Sequence, residues 1–204
     1  MLNKFKHIFL IDDDASIRKA ISRILNEQGY LVEEYTNGES FLENLRERSP
    51  AVILLDMEMP GINGIEIQNR LILRGIKTPI IFVSGHSHQQ QIVDSMKDGA
   101  MDFIFKPFQL EDLLLVISKA MQKDEKNYWL LQEADEVVKA YKTLTKREKE
   151  VCRLLINGLL SKEIAKQLEI SNATVKVHKG HVMEKLKVNS LQDLVKIAIK
   201  HALH

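Results

Sequence analysis

Five short apolar runs, each followed by a longer stretch of helical period, constrain the first 120 residues more than any other feature. "HIFLI" (7–11) precedes 15–28, "YLVEEY" (30–35) precedes 38–48, "AVILL" (51–55) precedes 64–74, "PIIFVS" (79–84) precedes 87–97, and "DFIF" (102–105) precedes 110–122. Alternation of this kind closes into a mostly parallel sheet with helices on both faces. The runs are rich in Ile, Val, Leu and Phe without polar alternation, as expected of strands covered on both sides. The expected fold class is α/β, a five-stranded, parallel, doubly wound domain. No segment approaches the roughly 18 uninterrupted apolar residues of a membrane span. Asp12, Asp13 and Asp14 interrupt the first run too early for the core of a secretory leader. A cytoplasmic location without a membrane partner is expected.

Charge divides the chain. Residues 1–120 carry 13 Lys and Arg against 17 Asp and Glu, whereas residues 143–204 carry 12 against 6. An acidic front and a basic back point to two domains with different partners, and the basic one invites nucleic acid. Between them, residues 121–142 contain no Gly or Pro, and Leu130, Ala134, Val137, Val138 and Tyr141 recur at helical spacing. The expected division is a first domain over 1–122, a helical linker over 123–142 and a second domain over 143–204. Trp129 in the linker is expected to pack. The single cysteine, Cys152, lies in an apolar stretch and excludes a disulfide framework or a cysteine-based zinc site.

In a doubly wound sheet, polar groups at the carboxyl ends of the strands converge on one rim. Here that rule gathers Asp12 and Asp13 after the first run, Asp56 at the end of the third, Ser84 at the end of the fourth, and Lys106 with Pro107 after the fifth. Converging carboxylates call for a cation, and oxygen-only ligation suits Mg2+. Lys106 supplies a fixed positive charge for phosphoryl oxygens, and the Ser84 hydroxyl has a hydrogen bond to donate. The chemistry is phosphoryl transfer, with one carboxylate as nucleophile. Asp14 reads differently, as the cap of the helix that opens at Ala15. His86, His88 and the glutamines after them read as a solvated helix start.

"IDDD", "LLDMEMPGINGIE", "VSGH" and "DFIFKPF" resemble, in order and spacing, the receiver domains of two-component response regulators, a CheY-like fold. The resemblance implies that Asp56 is the phosphoacceptor and that Asp12, Asp13 and Asp56 hold the metal with the backbone carbonyl of Glu58. It implies that Lys106 and Ser84 contact the phosphoryl group and that the peptide before Pro107 is cis. Phe103 falls at the family's switch aromatic position, expected to turn inward as Ser84 moves toward the phosphate. Glu58 and His86 stand at positions that vary in the family. A rival reading takes Asp12 and Asp14 as the D-x-D pair of haloacid-dehalogenase-like phosphatases, with Asp12 as nucleophile. It leaves Asp56 and "MPG" unexplained and lacks the usual cap insertion.

The back of the chain divides into four helices: 146–157, 162–168, 172–187 and 191–203, with Ser161, Ser171 and Ser190 as expected caps. The second and third form a helix-turn-helix. Lys176, Lys179 and Lys185 are expected to face away from a core stripe of Val175, Val182 and Leu186. "LTKREKEVCRLLINGL", "SKEIAKQLEIS", "TVKVHKGHVMEKLKV" and "SLQDLVKIAI" are similar to the LuxR-type DNA-binding domain, so the whole chain resembles response regulators of the FixJ and NarL type, nearer to FixJ. This resemblance implies that the helix at 172–187 enters the major groove with Lys176, Val177 and Lys179 near bases or phosphates, while Thr174 and Lys162 fix it on the backbone. It implies dimerisation through Leu191, Leu194, Val195 and Ala198, some of which must also serve the domain's own core. Gly180 departs from relatives with a basic or polar residue there, at a cost of about 1 kcal/mol against alanine in a helix interior.

The combined expectation is a transcription regulator. A histidine kinase phosphorylates Asp56, and the protein then dimerises and binds double-stranded promoter DNA in partnership with RNA polymerase. The alternative is a phosphotransfer module whose basic domain binds protein or RNA.

Overall fold

The apolar runs become strands because their side chains are buried on both faces of a sheet. The computed structural model describes residues 6–85 and 89–203, the side chains of Gln89 and Gln90 excepted. His86 and His88 lie outside the described residues. Two units divide between Tyr128 and Trp129.

The first unit alternates β1 (His7–Ile11), α1 (Ala15–Glu27), β2 (Leu31–Tyr35), α2 (Gly38–Asn44), β3 (Ala51–Asp56), α3 (Gly64–Leu73), β4 (Ile80–Ser84), α4 (Gln89–Lys97) and β5 (Asp102–Phe105). The helix α5 (Leu110–Lys142) begins in this unit and ends in the second. The strands are all parallel in the order β2-β1-β3-β4-β5. The order reverses between β1 and β3, so their carboxyl ends flank the crevice where such folds bind ligands. Side chains alternate between two cores. Phe9, Ile11, Ile53, Leu55 and Phe82 pack with Phe41, Ile67 and Leu71 on one face. Ile8, Leu10, Val52, Leu54, Ile81 and Ile104 pack with Ile21, Leu25, Leu113 and Ile117 on the other. Each such side chain contributes roughly 1.5–3 kcal/mol by burial.

Double coverage holds for β1, β3 and β4, each buried throughout. It fails for β2 and β5, which lie at the edges and are partly exposed. Helix α2 stops at Asn44 instead of reaching residue 48, because Leu45 turns to an extended conformation (ψ 122°) and the charged residues beyond it are exposed. No break separates 110–122 from the linker: α5 is one helix of 33 residues. Trp129 on it is 50% exposed. Below the sheet, the buried Asp124 carboxylate of α5 accepts the Ser49 hydroxyl at 2.7 Å and the Ala51 N–H at 3.0 Å, tying the helix to the start of β3.

The second unit holds α6 (Lys146–Ile156), α7 (Ser161–Gln167), α8 (Asn172–Lys185) and α9 (Leu191–Lys200). Val151, Leu155, Ile164, Val175, Val182, Leu186 and Leu194 form its core, with Cys152 among them. Thr145 and Glu148 cap α6 reciprocally, a capping box that the stretch "TKRE" spells out. Ser171 and Ser190 cap α8 and α9. Ser161 does not cap α7: the cap position is Leu160, whose N–H is taken by Glu163 at 2.7 Å. Helix α9 ends at Lys200, not 203, because Ala202 adopts a left-handed φ of 49° and folds Leu203 back into the core.

Glu148 closes this unit from α6 to α8. Its Oε2 accepts Lys185 Nζ at 2.6 Å and the Thr145 N–H at 2.8 Å, and its Oε1 lies 3.4 Å from His181 Nδ1. The hydrogen bonds from Lys185 and Thr145 lower its pKa from 4.5 to about 2.

Replacing Asp124 by alanine strands two donors in an apolar setting and is expected to cost about 1–3 kcal/mol in urea unfolding, with Asp124→Asn milder because its amide oxygen still accepts. For Glu148 the folded pKa lies below the unfolded one. Its contribution is therefore fully present above pH 4.5 and is lost as the pH falls toward 2. Glu148→Gln is expected to lower the thermal midpoint at neutral pH and to flatten its fall through that acid window, as followed by circular dichroism.

Candidate functional site

The rim site is built from three strand ends. Asp12 follows β1 and Asp56 ends β3, both buried, while Lys106 follows β5. Lys106 Nζ lies 2.7 Å from Asp12 Oδ2 and 2.7 Å from Asp56 Oδ2. The other oxygen of each carboxylate accepts a backbone N–H two residues on, Asp14 N to Asp12 Oδ1 at 2.9 Å and Glu58 N to Asp56 Oδ1 at 3.1 Å. Each carboxylate is thus held at both oxygens, and both aim one oxygen at the same ammonium. Burial opposes the charge on Lys106, but the bonds from Asp12 and Asp56 outweigh it and raise its pKa. Burial pushes the Asp12 carboxyl up, more than Lys106 pulls it down.

Asp13 is exposed, and it brings a third carboxylate to the cluster. Asp12, Asp13 and Asp56 each place an oxygen within 4.8 Å of the others, a donor set of hard oxygens fit for a divalent cation. Asp14 stands apart from them as the cap of α1, accepting Ser16 N at 2.7 Å and Ile17 N at 3.1 Å. Ser84 ends β4 at 1% exposure, its carbonyl accepting Lys106 N at 2.9 Å. Phe103 is half-buried against the Phe82 and Phe105 rings, with centroids 6.3 and 4.8 Å away. Glu58 sits in the turn after β3 with an exposed side chain. The Lys106–Pro107 peptide is cis, and so is Ser49–Pro50.

Two contributors escaped the sequence reading. Arg18 of α1 is buried beneath the acidic loop, its guanidinium donating to the carbonyls of Asp12 at 2.7 Å and Asp13 at 3.4 Å with Glu34 at 3.5 Å behind it. It fixes the backbone from which both carboxylates hang. Gly64 opens α3 where an added Cβ would lie 2.6 Å from the Asp56 carbonyl oxygen, so only glycine lets α3 start against the end of β3. The Asn63–Gly64 pair was the available signal, since Asn63 caps that helix. Beside the rim runs a groove of about 600 Å³, lined by Ile17, Ala20, Ile21 and Ile24 of α1 and by Lys106, Pro107 and Phe108.

In the second unit Lys162, Lys176 and Val177 are exposed, Val177 to 55%, and Lys179 is half-buried on the same helix. Val175, Val182 and Leu186 are buried, as the stripe requires. Thr174 is engaged in the cap, its hydroxyl 2.8 Å from that of Ser171. Lys185 is half-buried like Lys179, and its ammonium is held by Glu148. On α9, Leu194 and Ala198 are buried in the unit's own core, which removes them from any outward face. Leu191 and Val195 are half-buried, and Ile199, not singled out from the sequence, is 75% exposed.

Residues 8–118 match the response regulator receiver domain family, and residues 142–198 match the LuxR family of bacterial regulatory proteins. The chain is 36% identical over 190 residues to the response regulator protein TmoT of Ectopseudomonas mendocina, covering 93% of this chain and 86% of that one. It is 34% identical over 194 residues to the transcriptional regulatory protein FixJ of Bradyrhizobium diazoefficiens, covering 95% of each. Among solved structures, the response regulator StyR is 36% identical, with a TM-score of 0.87 over 96% of this chain and 99% of that one. Full-length FixJ from B. japonicum is 33% identical, with a TM-score of 0.57 over 97% and 98%. Among the described residues no helix is long and apolar enough to cross a membrane. An acidic pocket bridged by one lysine, on a five-stranded parallel sheet followed by a helix-turn-helix, therefore belongs to a transcription regulator of the response regulator family, with a receiver domain and a LuxR-type DNA-binding domain.

Proposed function

We propose that this protein accepts a phosphoryl group on Asp56 from a histidine kinase and, once phosphorylated, dimerises on promoter DNA. The observation that carries this reading is the placement of Lys106 Nζ at 2.7 Å from both Asp56 and Asp12. An ammonium so held neutralises charge where a phosphoryl group arrives, without reorganisation at the moment of transfer. An Asp56 oxygen attacks phosphorus, the phosphorus–nitrogen bond of the donor phosphohistidine breaks, and its electron pair leaves with the imidazole. Lys106 and the Ser84 hydroxyl then pair with phosphoryl oxygens. Mg2+ fits the donor set of Asp12, Asp13, Asp56 and the Glu58 carbonyl, and when bound it draws negative charge from those oxygens. The apolar groove along α1 reaches Lys106 and suits a helix of the kinase bringing its histidine to the rim.

Ser84 and Phe103 are the proposed switch pair. Strand register sets Ser84 beside Phe105 and Phe82 beside Phe103, so a movement of the Ser84 end of β4 is felt at the aromatic cluster. We assign residues 1–122 to the receiver, 123–142 to a helical linker and 143–204 to the DNA-binding domain. In that domain Lys176, Val177 and Lys179 lie near the bases or phosphates of duplex DNA, and Lys162 and Thr174 fix the helix on its backbone. Dimerisation through α9 falls to Leu191 and Val195, joined by Ile199, since Leu194 and Ala198 point inward. The setting is the cytoplasm, and RNA polymerase is the downstream partner.

Asp56→Asn is expected to abolish base-labile labelling by a small phosphodonor with Mg2+ while circular dichroism stays unchanged. Label mapped to Asp12 would overturn the assignment. Lys176→Ala is expected to cost about 1–3 kcal/mol on a specific site and to relax discrimination at one base pair per half-site. Lys162→Ala is expected to weaken all duplexes alike and to lower the salt slope by roughly one unit for each phosphate it no longer neutralises. Binding of both variants to selected and random duplexes across a salt series separates base reading from charge neutralisation.

A further inference from the structure

Gly180 lies inside α8, five residues before its end, where glycine disfavours the helix by roughly fivefold in its equilibrium relative to alanine. Glycine is required inside a helix when a neighbour crowds the missing Cβ, as Met57 and Asp56 do at Gly64. At Gly180 a built Cβ meets nothing within 4 Å, and the helical backbone needs no positive φ there. The folded unit gives no reason for this residue.

Its surroundings suggest what lies outside. Lys176, Gly180 and Met183 fall at i, i+4 and i+7 on one stripe of α8, and this stripe floors a groove of about 460 Å³. Ser161 at the start of α7 and Asn189 in the turn after α8 form its walls, with Lys179 beside them. None of the lining residues is acidic, and the lysines, the serine and the asparagine all offer hydrogen-bond donors. Lys185, six residues beyond Lys179 on the same helix, is not among the lining residues and is held by Glu148. Donors around one position of bare helix backbone, between Lys176 and Met183, fit one occupant by charge and shape, a sugar-phosphate strand of duplex DNA.

We infer that Gly180 is a close-approach position for the DNA backbone, and that Ser161, Lys179 and Asn189 grip the phosphates that pass over it. The inference rests on the DNA-binding reading above and adds the strand's path across α8. Phosphate pairs with donors on three separate elements, so the groove fixes the depth at which α8 sits and hence how far Lys176 reaches toward the bases. A methyl group on Gly180 lifts the helix from the strand without removing charge.

The test uses the full-length protein, phosphorylated with a small phosphodonor, and a random-sequence duplex of about 30 base pairs titrated from low to moderate salt. Gly180→Ala is expected to raise the thermal midpoint by a few degrees and yet weaken duplex binding by about tenfold, the cost of a steric misfit at a packed contact. Its salt slope should match the parent's, because no charge is removed. Lys179→Ala should lower that slope by about one unit. A more stable Gly180→Ala protein that binds as tightly as the parent would overturn the inference while leaving DNA binding intact. A parent protein that binds no duplex would overturn the DNA reading, and this inference with it.

Discussion

Two buried carboxylates from different strands, pinned by one ammonium, are the constraint on which the receiver is organised. Asp12 and Asp56 repel each other, and each by itself would be costly to bury. Lys106 offsets both at 2.7 Å, and two backbone amides take the oxygens that remain. Everything nearby serves that geometry. The β1/β3 reversal sets the two aspartates side by side, β5 delivers the lysine, Arg18 clamps the loop from below, and Gly64 lets α3 begin without pushing Asp56 away. The cluster is satisfied but not closed, since Asp13 remains exposed at its mouth.

The DNA-binding unit solves a related problem with Glu148. A small all-helical core has few side chains to bury, so its helices are also joined by polar contacts. Glu148 draws α6 to the end of α8, and the guanidinium of Arg147 reaches the Leu168 carbonyl at 2.6 Å where α7 gives way to the turn. These bonds hold the helix-turn-helix angle while consuming one lysine that the sequence would assign to solvent. Charge surplus alone therefore does not identify the lysines available to a partner.

Legibility followed the kind of rule that fixes an interaction. Hydrophobic period shows which face of a segment is buried, so the alternating elements of the receiver and the Val175, Val182 and Leu186 stripe were readable from local pattern. The convergence of Asp12, Asp56 and Lys106 was readable because strand order determines which ends meet. Pairings across helices were not. Nothing in the spacing marks Arg18 as a buried clamp, Asp124 as a tie to β3, or Lys185 as the partner of Glu148, because neither strand order nor hydrophobic period says which group each side chain meets. Helix ends shifted where a local geometry outweighed the pattern, as at Leu45 and Ala202. Leu194 and Ala198 show the same limit in reverse: an apolar stripe on α9 does not say whether the chain's own core or a second copy will cover it.

The edge strand β2 carries a consequence for the protein's solubility at high local concentration. An open parallel sheet ends in a row of unpaired backbone donors and acceptors, which a strand from another molecule can extend. At the β2 edge the chain places Glu33 and Glu34 in the middle of the strand, and these are accompanied by Arg18 and Arg48. A second copy adding there in register would stack like charges within a few ångströms. At the opposite edge β5 is only four residues long. Both borders of the sheet are thus poor templates for fibrillar growth, so self-association is left to surfaces other than the backbone edges.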